Sequence, residues 1–374
     1  MSVKTDYKSL ANRLLTIYSK QVFQKSMKGA KAKVARPYSE SDRRFLLNII
    51  GLANITDSYK EAGDLDKVLD TIDLAKIYSG VEKREQESDK KKSKDGIELG
   101  YEDFLVLELL HYFKHDFFKW ITIPECSNCK NGSENVDSIG IEGPPINNPD
   151  EITRIEKYRC KTCQKSIDFP RINSPTKLLQ TREGRCGEWV NCFMLILRAV
   201  LGADAGIRYV WNFEDHVWCE YYSSALSRWV HIDPCEAVFD EPNLYCENWG
   251  KKMSWVIGIN DSYMIDLSEK YITSIEKRIP KTNTVSNVQY IKDVLHKINC
   301  DKLLKYYFEY IDPTSSNESE KLMSLYNKVI LIHNREKLEL NGSKSRIDMP
   351  SSTITTKGRQ TGGTEWTKAR GEDG

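Results

Sequence analysis

The stretch DHVWCEYYSSALSRWVHIDP, residues 215–234, decides the fold. Two runs rich in Val, Ile, Tyr and Trp flank a short segment of small polar residues, the pattern of an antiparallel hairpin. With Tyr222 set opposite Ser227 across a turn at 223–226, Glu220 faces Trp229, Trp218 faces His231 and His216 faces Asp233. Directly opposed residues have Cβ atoms about 5 Å apart, so this register predicts an imidazole beside a carboxylate. A slip of one residue would turn the two to opposite faces. Pro234 has no N–H for the ladder and ends the returning strand. His231, facing Trp218, reads as structural.

Upstream, GRCGEWVNCF (184–193) runs into the apolar segment 194–201. Gly184 and Gly187 bracket Cys186 at the predicted start of a helix over 186–201, where free N–H groups and the helix dipole favour a thiolate. Cys192, deeper in the same helix between apolar neighbours, reads as a buried inert thiol. Cys186, His216 and Asp233 then form a nucleophile, a base and an orienter. That chemistry is acyl transfer from an amide or ester through a thioester, with His216 taking the thiol proton and later protonating the leaving nitrogen. Here the residues themselves stop. The other histidines, His111, His115, His296 and His333, have no placeable acidic or cysteine company and read as surface or core.

Between the first helices and Cys186 lie Cys126-Ser-Asn-Cys129 and Cys160-Lys-Thr-Cys163. Two such pairs supply the tetrahedral four-sulfur shell that Zn2+ prefers. The 30 intervening residues exceed the usual zinc-ribbon gap, so the insert carries longer strands or loops. A closed four-thiolate shell implies one structural Zn2+ and not a Lewis acid.

The remainder frames these motifs. The chain has 374 residues, with 55 Lys plus Arg against 54 Asp plus Glu, so a formal charge of +1 gives no field for nucleic acid or an anionic membrane. It carries no apolar run long enough for a membrane span and no apolar leader at its start, so the ten cysteines are read in a reducing compartment. Helical periodicity occupies about 5–80 and 101–120, strands are expected at 207–211 and 255–260, and 285–340 is helical again. One helix followed by strands in series predicts an α+β fold with an antiparallel sheet. The expected divisions are an N-terminal helical region 1–100 with a charged loop at 83–96, a catalytic core 101–270 including a zinc insert 121–170, a C-terminal helical region 271–341, and a polar tail 342–374 that composition makes disordered. A Lys90-Lys91-Lys92 nuclear-localisation signal is the lesser reading of the charged run.

These motifs resemble the cytosolic peptide:N-glycanases, which have a transglutaminase-like (papain-like Cys-His-Asp) fold. The resemblance rests on GRCGEWVNCF, RYVWNFEDHVWCEYYS (208–223), RWVHIDPCE (228–236), GKKMSWVIG (250–258), the two cysteine pairs and a tail similar to fungal members. It spans about residue 101 to the C-terminus. It implies hydrolysis of the amide between an Asn side chain and N-linked GlcNAc on misfolded glycoproteins, in support of ER-associated degradation. It implies Cys186 as nucleophile, His216 as base, Asp233 as third member, and Cys126, Cys129, Cys160 and Cys163 as zinc ligands. Trp120, Arg208, Trp218, Glu220, Trp229 and Glu236 would line a cleft for the sugar core. The resemblance also implies denatured N-glycoproteins and a ubiquitin-receptor shuttle protein as partners, no nucleic acid, and a cytoplasmic location with the nucleus as a second. The 201–206 loop is slightly longer than in fungal relatives, the 83–96 run has no counterpart, and the length leaves no room for the extra modules of animal members. A thiol protease or transglutaminase of this fold, or a non-catalytic zinc-stapled interaction domain, are the competing readings.

Overall fold

The structure, a computed structural model, describes residues 39–90, 99–310 and 332–341. The Lys90-Lys91-Lys92 side chains and the tail 342–374 lie outside what it describes. The chain forms two compact units that are not consecutive in sequence: one spans 55–253, and the other combines residues before 55 with residues from 254 onward.

The smaller unit opens with the helix Glu40–Leu52. Ser39 and Asp42 cap it reciprocally, the Ser39 hydroxyl accepting the Asp42 N–H at 3.2 Å and the Asp42 carboxylate accepting the Ser39 N–H at 3.1 Å. Its Phe45 packs on Trp255, ring centroids 5.0 Å apart. The antiparallel hairpin Val256–Ile259 and Met264–Asp266 is tied to the helix Val288–Tyr310 by Asn299. That side chain accepts the Met264 N–H at 2.6 Å and donates to its carbonyl at 2.8 Å.

The larger unit carries the predicted chemistry. It begins with α1 (Ala62–Thr71), α2 (Leu74–Lys90) and α3 (Tyr101–Tyr112). Helix α2 runs through the first part of the expected charged loop. Lys, Arg, Glu and Gln are good helix formers, and buried Ile77 and Val81 anchor the run while Arg84 Nε pairs with Glu108 Oε2 on α3 at 2.7 Å. Residues 91–98 lie outside the description. The helical pattern expected to continue to Trp120 stops earlier: α3 ends in a widened turn at Phe113–Phe117, and β1 (Lys119–Trp120) pairs in parallel with β5 (Glu183–Gly184), Trp120 beside Gly184.

The cysteine insert is a three-stranded antiparallel sheet in the order β2 (Val136–Glu142), β3 (Ile152–Cys160), β4 (Ser166–Ile172). These long strands account for the wide gap between the cysteine pairs. After α4 (Pro175–Thr181) comes α5 (Cys186–Leu201), with the bounds read from sequence. Its residues 189–197 are buried on all sides, as expected of an apolar helix running through a core. Gly184 is required just before it, since a Cβ there would stand 2.4 Å from Glu188 Cβ.

Helix α5 packs against β7 of an antiparallel run β6 (Ile207–Asn212), β7 (His216–Ser223), β8 (Arg228–Asp233), β9 (Val238–Phe239). The hairpin register differs from the expected one. Tyr222 pairs with Trp229 and Glu220 with His231, not Tyr222 with Ser227. Ser223 is wholly buried and belongs to the strand. Its hydroxyl accepts the Leu226 N–H at 3.0 Å, and Ser227 takes a left-handed φ of +52°, so the turn closes one residue later than expected. The shift is even on the returning strand, which preserves the faces. Asp233 then stands diagonal to His216 instead of opposite, a separation that side chains bridge.

Candidate active site

His216 opens β7 and Asp233 closes β8, both buried. His216 Nε2 lies 3.0 Å from Asp233 Oδ2, and Asp233 Oδ1 accepts the Cys235 amide N–H at 2.9 Å. Burial alone would push the Asp233 carboxyl up. The His216 hydrogen bond and charge, with the Tyr245 hydrogen bond, outweigh it and hold the group below the usual carboxylate value, so it is ionised at neutral pH.

Cys186 starts α5, where the macrodipole favours negative charge. Cys235, whose amide holds Asp233, and Tyr209, Arg171 and Lys251 lie within its electrostatic reach. Burial pushes Cys192, Cys219 and Cys235 well above the ordinary thiol value, which makes them inert at neutral pH, as expected for Cys192. Helix α5 is fixed at its start by Glu188, whose carboxylate accepts the Arg185 N–H at 3.0 Å and takes Arg171 Nε at 2.6 Å and Nη2 at 2.9 Å.

The six residues expected to line a sugar cleft divide by burial. Arg208, Trp218 and Glu220 are 0% exposed. Arg208 Nη1 pairs with Glu220 Oε2 at 2.6 Å, as β6 and β7 set the two opposite each other, and the guanidinium lies 3.8 Å above the Trp229 ring. Trp218 stacks on Tyr245 with centroids 4.2 Å apart. Of the three, Trp218 also lies beside the imidazole, its ring centroid 5.8 Å from that of His216. Trp120, Trp229 and Glu236 retain some surface; Trp120 Nε1 donates to Thr122 Oγ1 at 3.1 Å, and Lys114 Nζ sits 3.7 Å from Glu236 Oε2.

Sequence reading passed over Tyr245 and Trp249. With Trp218 they surround the His216 ring at centroid distances of 5.1, 5.3 and 5.8 Å. It also set His231 aside on a facing residue, Trp218, that the register replaces with Glu220. No local signal marks Tyr245 or Trp249, since only the chain path after β9 brings them to the imidazole.

Cys126, Cys129, Cys160 and Cys163 are brought together, all four sulfurs within 4.8 Å of one another. Cys126 and Cys163 are 3.5 Å apart, Cys129 and Cys160 3.8 Å. A tetrahedron with metal–sulfur bonds of about 2.3 Å has sulfurs roughly 3.8 Å apart, so the cluster fits a single ion of that kind. Backbone N–H groups of Cys163 and Thr162 aimed at Cys160 draw its thiol down, while the hydrogen bond to Cys163 pushes Cys129 up, as expected when neighbouring thiols compete for one negative charge. The four cysteines can hold a metal ion.

No helix among the described residues is long and apolar enough to cross a membrane. Residues 138–234 match the Transglutaminase-like superfamily, and 213–330 match the Rad4 transglutaminase-like domain. Among curated proteins, the peptide-N(4)-(N-acetyl-beta-glucosaminyl)asparagine amidase of Debaryomyces hansenii is 52% identical over 99% of this chain and 98% of its own length. Proteins of the same name are 44% identical in Candida albicans, over 100% of this chain and 97% of theirs, and 38% identical in Saccharomyces cerevisiae, over 99% and 97%. With a transglutaminase-like core of mixed helix and antiparallel sheet and identity of this extent over nearly full length, the chain belongs to the peptide-N(4)-(N-acetyl-beta-glucosaminyl)asparagine amidase family.

Proposed function

We propose that the chain hydrolyses the amide bond joining an Asn side chain to N-linked GlcNAc in unfolded glycoproteins, with Cys186 as nucleophile. The observation that carries this reading is the buried His216–Asp233 pair, with His216 on the strand against which the Cys186 helix packs. Identity of 52% to a relative bearing that activity in its name supports the substrate class.

In this mechanism His216 takes the Cys186 proton and the sulfur attacks the amide carbon. Collapse of the tetrahedral intermediate breaks the C–N bond while His216 returns the proton to the leaving glycosylamine nitrogen. Water, deprotonated by His216, then attacks the thioester, yielding Asp in the peptide and the free thiol. The released glycosylamine loses ammonia in water. Asp233 stabilises the imidazolium formed in each half-reaction and is not itself protonated. The Cys186 backbone N–H, at a helix start, is the candidate oxyanion donor.

Trp120, Trp229 and Glu236 are proposed to meet the sugar, aromatic faces on its apolar side and the carboxylate on a hydroxyl or amide hydrogen. One structural Zn2+ is proposed for the four cysteines, where it would staple the β2–β4 sheet. The family resemblance further supports a cytosolic location, with the nucleus as a second, a ubiquitin-receptor shuttle as partner, and a place in the degradation of misfolded glycoproteins.

The test is incubation with a denatured glycopeptide and mass analysis of both products. Free glycan with Asn converted to Asp, absent with Cys186→Ala, is the expected result. Peptide-bond cleavage or cross-linking of unglycosylated peptide would favour a protease or transglutaminase, and equal release by the variant would end the reading.

A further inference from the structure

Beyond the His216–Asp233 pair runs a chain of hydrogen bonds whose donors can be assigned one by one. The Glu241 amide N–H donates to His231 Nδ1 at 3.2 Å. That ring is therefore neutral with its proton on Nε2, because a protonated ring would set two N–H groups against each other at Nδ1. His231 Nε2 lies 2.8 Å from the Tyr245 hydroxyl and donates to it. The phenol proton is then directed to Asp233 Oδ2, 2.9 Å away. This is the oxygen that faces His216 Nε2. His231, Tyr245 and Asp233 are all 0% exposed, so water cannot replace a missing donor.

We infer that Tyr245 and His231 are positioning residues of the catalytic apparatus, the first fixing the Asp233 carboxylate and the second aiming the phenol proton at it. The inference deepens the reading of Cys186, His216 and Asp233 given above and rests on it. A carboxylate oxygen that receives two donors has both lone pairs directed, so Asp233 cannot turn away from the imidazole. His216 Nε2 must then be the donor to Asp233, which leaves Nδ1 as the basic nitrogen for the thiol. A phenol rotor on its own would have two in-plane orientations. The His231 N–H occupies the oxygen from one side, and Asp233 takes the proton on the other. Tyr245 also presents its ring to the imidazole, 5.1 Å away and steeply inclined at 61°, so removing the hydroxyl while keeping the ring separates the two contributions.

The experiment compares Tyr245→Phe, His231→Leu and His231→Gln in the full chain. Glycopeptide kcat and KM are measured together with two readouts that need no substrate, the alkylation rate of Cys186 by iodoacetamide and the low-field proton resonance of the His216–Asp233 hydrogen bond, assigned by its loss in His216→Ala. Losing one buried charge-assisted hydrogen bond is worth about ten-fold. Tyr245→Phe should therefore lower kcat and the alkylation rate about ten-fold with KM unchanged, and shift the resonance. His231→Leu should match it, His231→Gln should recover most of the loss because its amide can donate to the phenol, and Tyr245→Phe combined with His231→Leu should be no worse than either alone. Alkylation at the wild-type rate with an unshifted resonance in Tyr245→Phe would overturn the inference, as would equal losses in His231→Leu and His231→Gln. A wild-type chain that releases no glycan, yet shows the Tyr245 dependence of alkylation, would sink the amidase reading and leave this one standing.

Discussion

Arg185, the residue before the proposed nucleophile, is wholly buried and grips Glu156 on β3 with two prongs, Nη1 to Oε1 at 3.0 Å and Nη2 to Oε2 at 2.8 Å. The same guanidinium donates to the carbonyls of Ile121 and Thr122 at 3.1 and 2.9 Å and to the Tyr158 hydroxyl at 3.0 Å. Arg171 on β4 bridges Glu156 at 3.0 Å and Glu188 of α5 at 2.6 Å. Strand β3 ends at Cys160, so the cysteine-held sheet and the start of the nucleophile helix share one set of buried charges. Removing one partner strands the rest.

Glu156→Gln should therefore destabilise the protein by about 3–5 kcal/mol, the cost of leaving a buried guanidinium without its counter-charge, measured by urea denaturation at pH 7. The pH dependence follows from the same group. Burial would push the Glu156 carboxyl up, but Arg185, then Arg171 and Tyr158, hold it at about 2 against an ordinary 4.5. A depressed folded-state value contributes stability that is full above the unfolded value and lost as pH falls toward the folded one. The wild-type advantage over the variant should shrink between pH 4.5 and about 2. An advantage constant through that interval would count against an ionised Glu156.

Metal removal should act through this brace. The sheet's own core is small, Cys126, Val136, Tyr158, Cys160 and Phe169 with a few partly buried neighbours, too little apolar area to hold three strands without an ion. A chelator should release one metal per chain, expose the β2–β4 amides to hydrogen exchange, and slow Cys186 alkylation as Arg185 loses its anchor. Added Zn2+ should restore all three and Mg2+ none, because thiolates select the softer ion. Protection of β2–β4 that survives complete metal release would show the sheet to be self-supporting.

A separate cost is expected at the middle of α5. The Tyr59 hydroxyl donates to Asn191 Oδ1 at 2.5 Å in a buried site, while the Asn191 amide donates to the Asn173 carbonyl. Tyr59→Phe leaves a buried acceptor without its donor, which costs about 1–3 kcal/mol. Thermal denaturation should show the loss with kcat per folded molecule unchanged, and a fall in kcat would mean that α5 shifts as a body.

What could be read before any coordinates was whatever depended on local chemistry. Helix α5 announces itself through a glycine-flanked start and an unbroken apolar run, and the cysteine pairs through their spacing. The 215–234 hairpin was legible as a hairpin, and its face assignment survived because the register shift was even; the turn length was not, since Ser223 could be strand or turn until its hydroxyl found the Leu226 amide. Long-range polar partners left no trace. Glu156 is 29 residues from Arg185, and although it shares the inward face of β3 with Tyr158 and Cys160, nothing local names its partner. Tyr245 and His231 meet Asp233 only through the path of the segment after β9. The 83–90 run misled for the opposite reason: its charge density reads as solvated loop, while Ile77 and Val81 one face earlier commit it to a helix.

The Arg208–Glu220 pair separates a supporting role from a ligand contact. Both side chains are 0% exposed and 2.6 Å apart, with Trp229 lying against the guanidinium. Glu220→Gln should cost about 3–5 kcal/mol by leaving Arg208 uncompensated, whereas Arg208→Met with Glu220→Leu, which removes both charges and keeps the volume, should cost much less. Because neither group reaches the surface, the double variant should keep the glycopeptide KM while Glu236→Ala raises it. Trp229→Ala should do both, raising KM through its exposed edge and destabilising the pair it covers. A double variant that melts like wild type but binds glycopeptide poorly would return Arg208 and Glu220 to the sugar, and would require the β6–β7 face to open when substrate arrives.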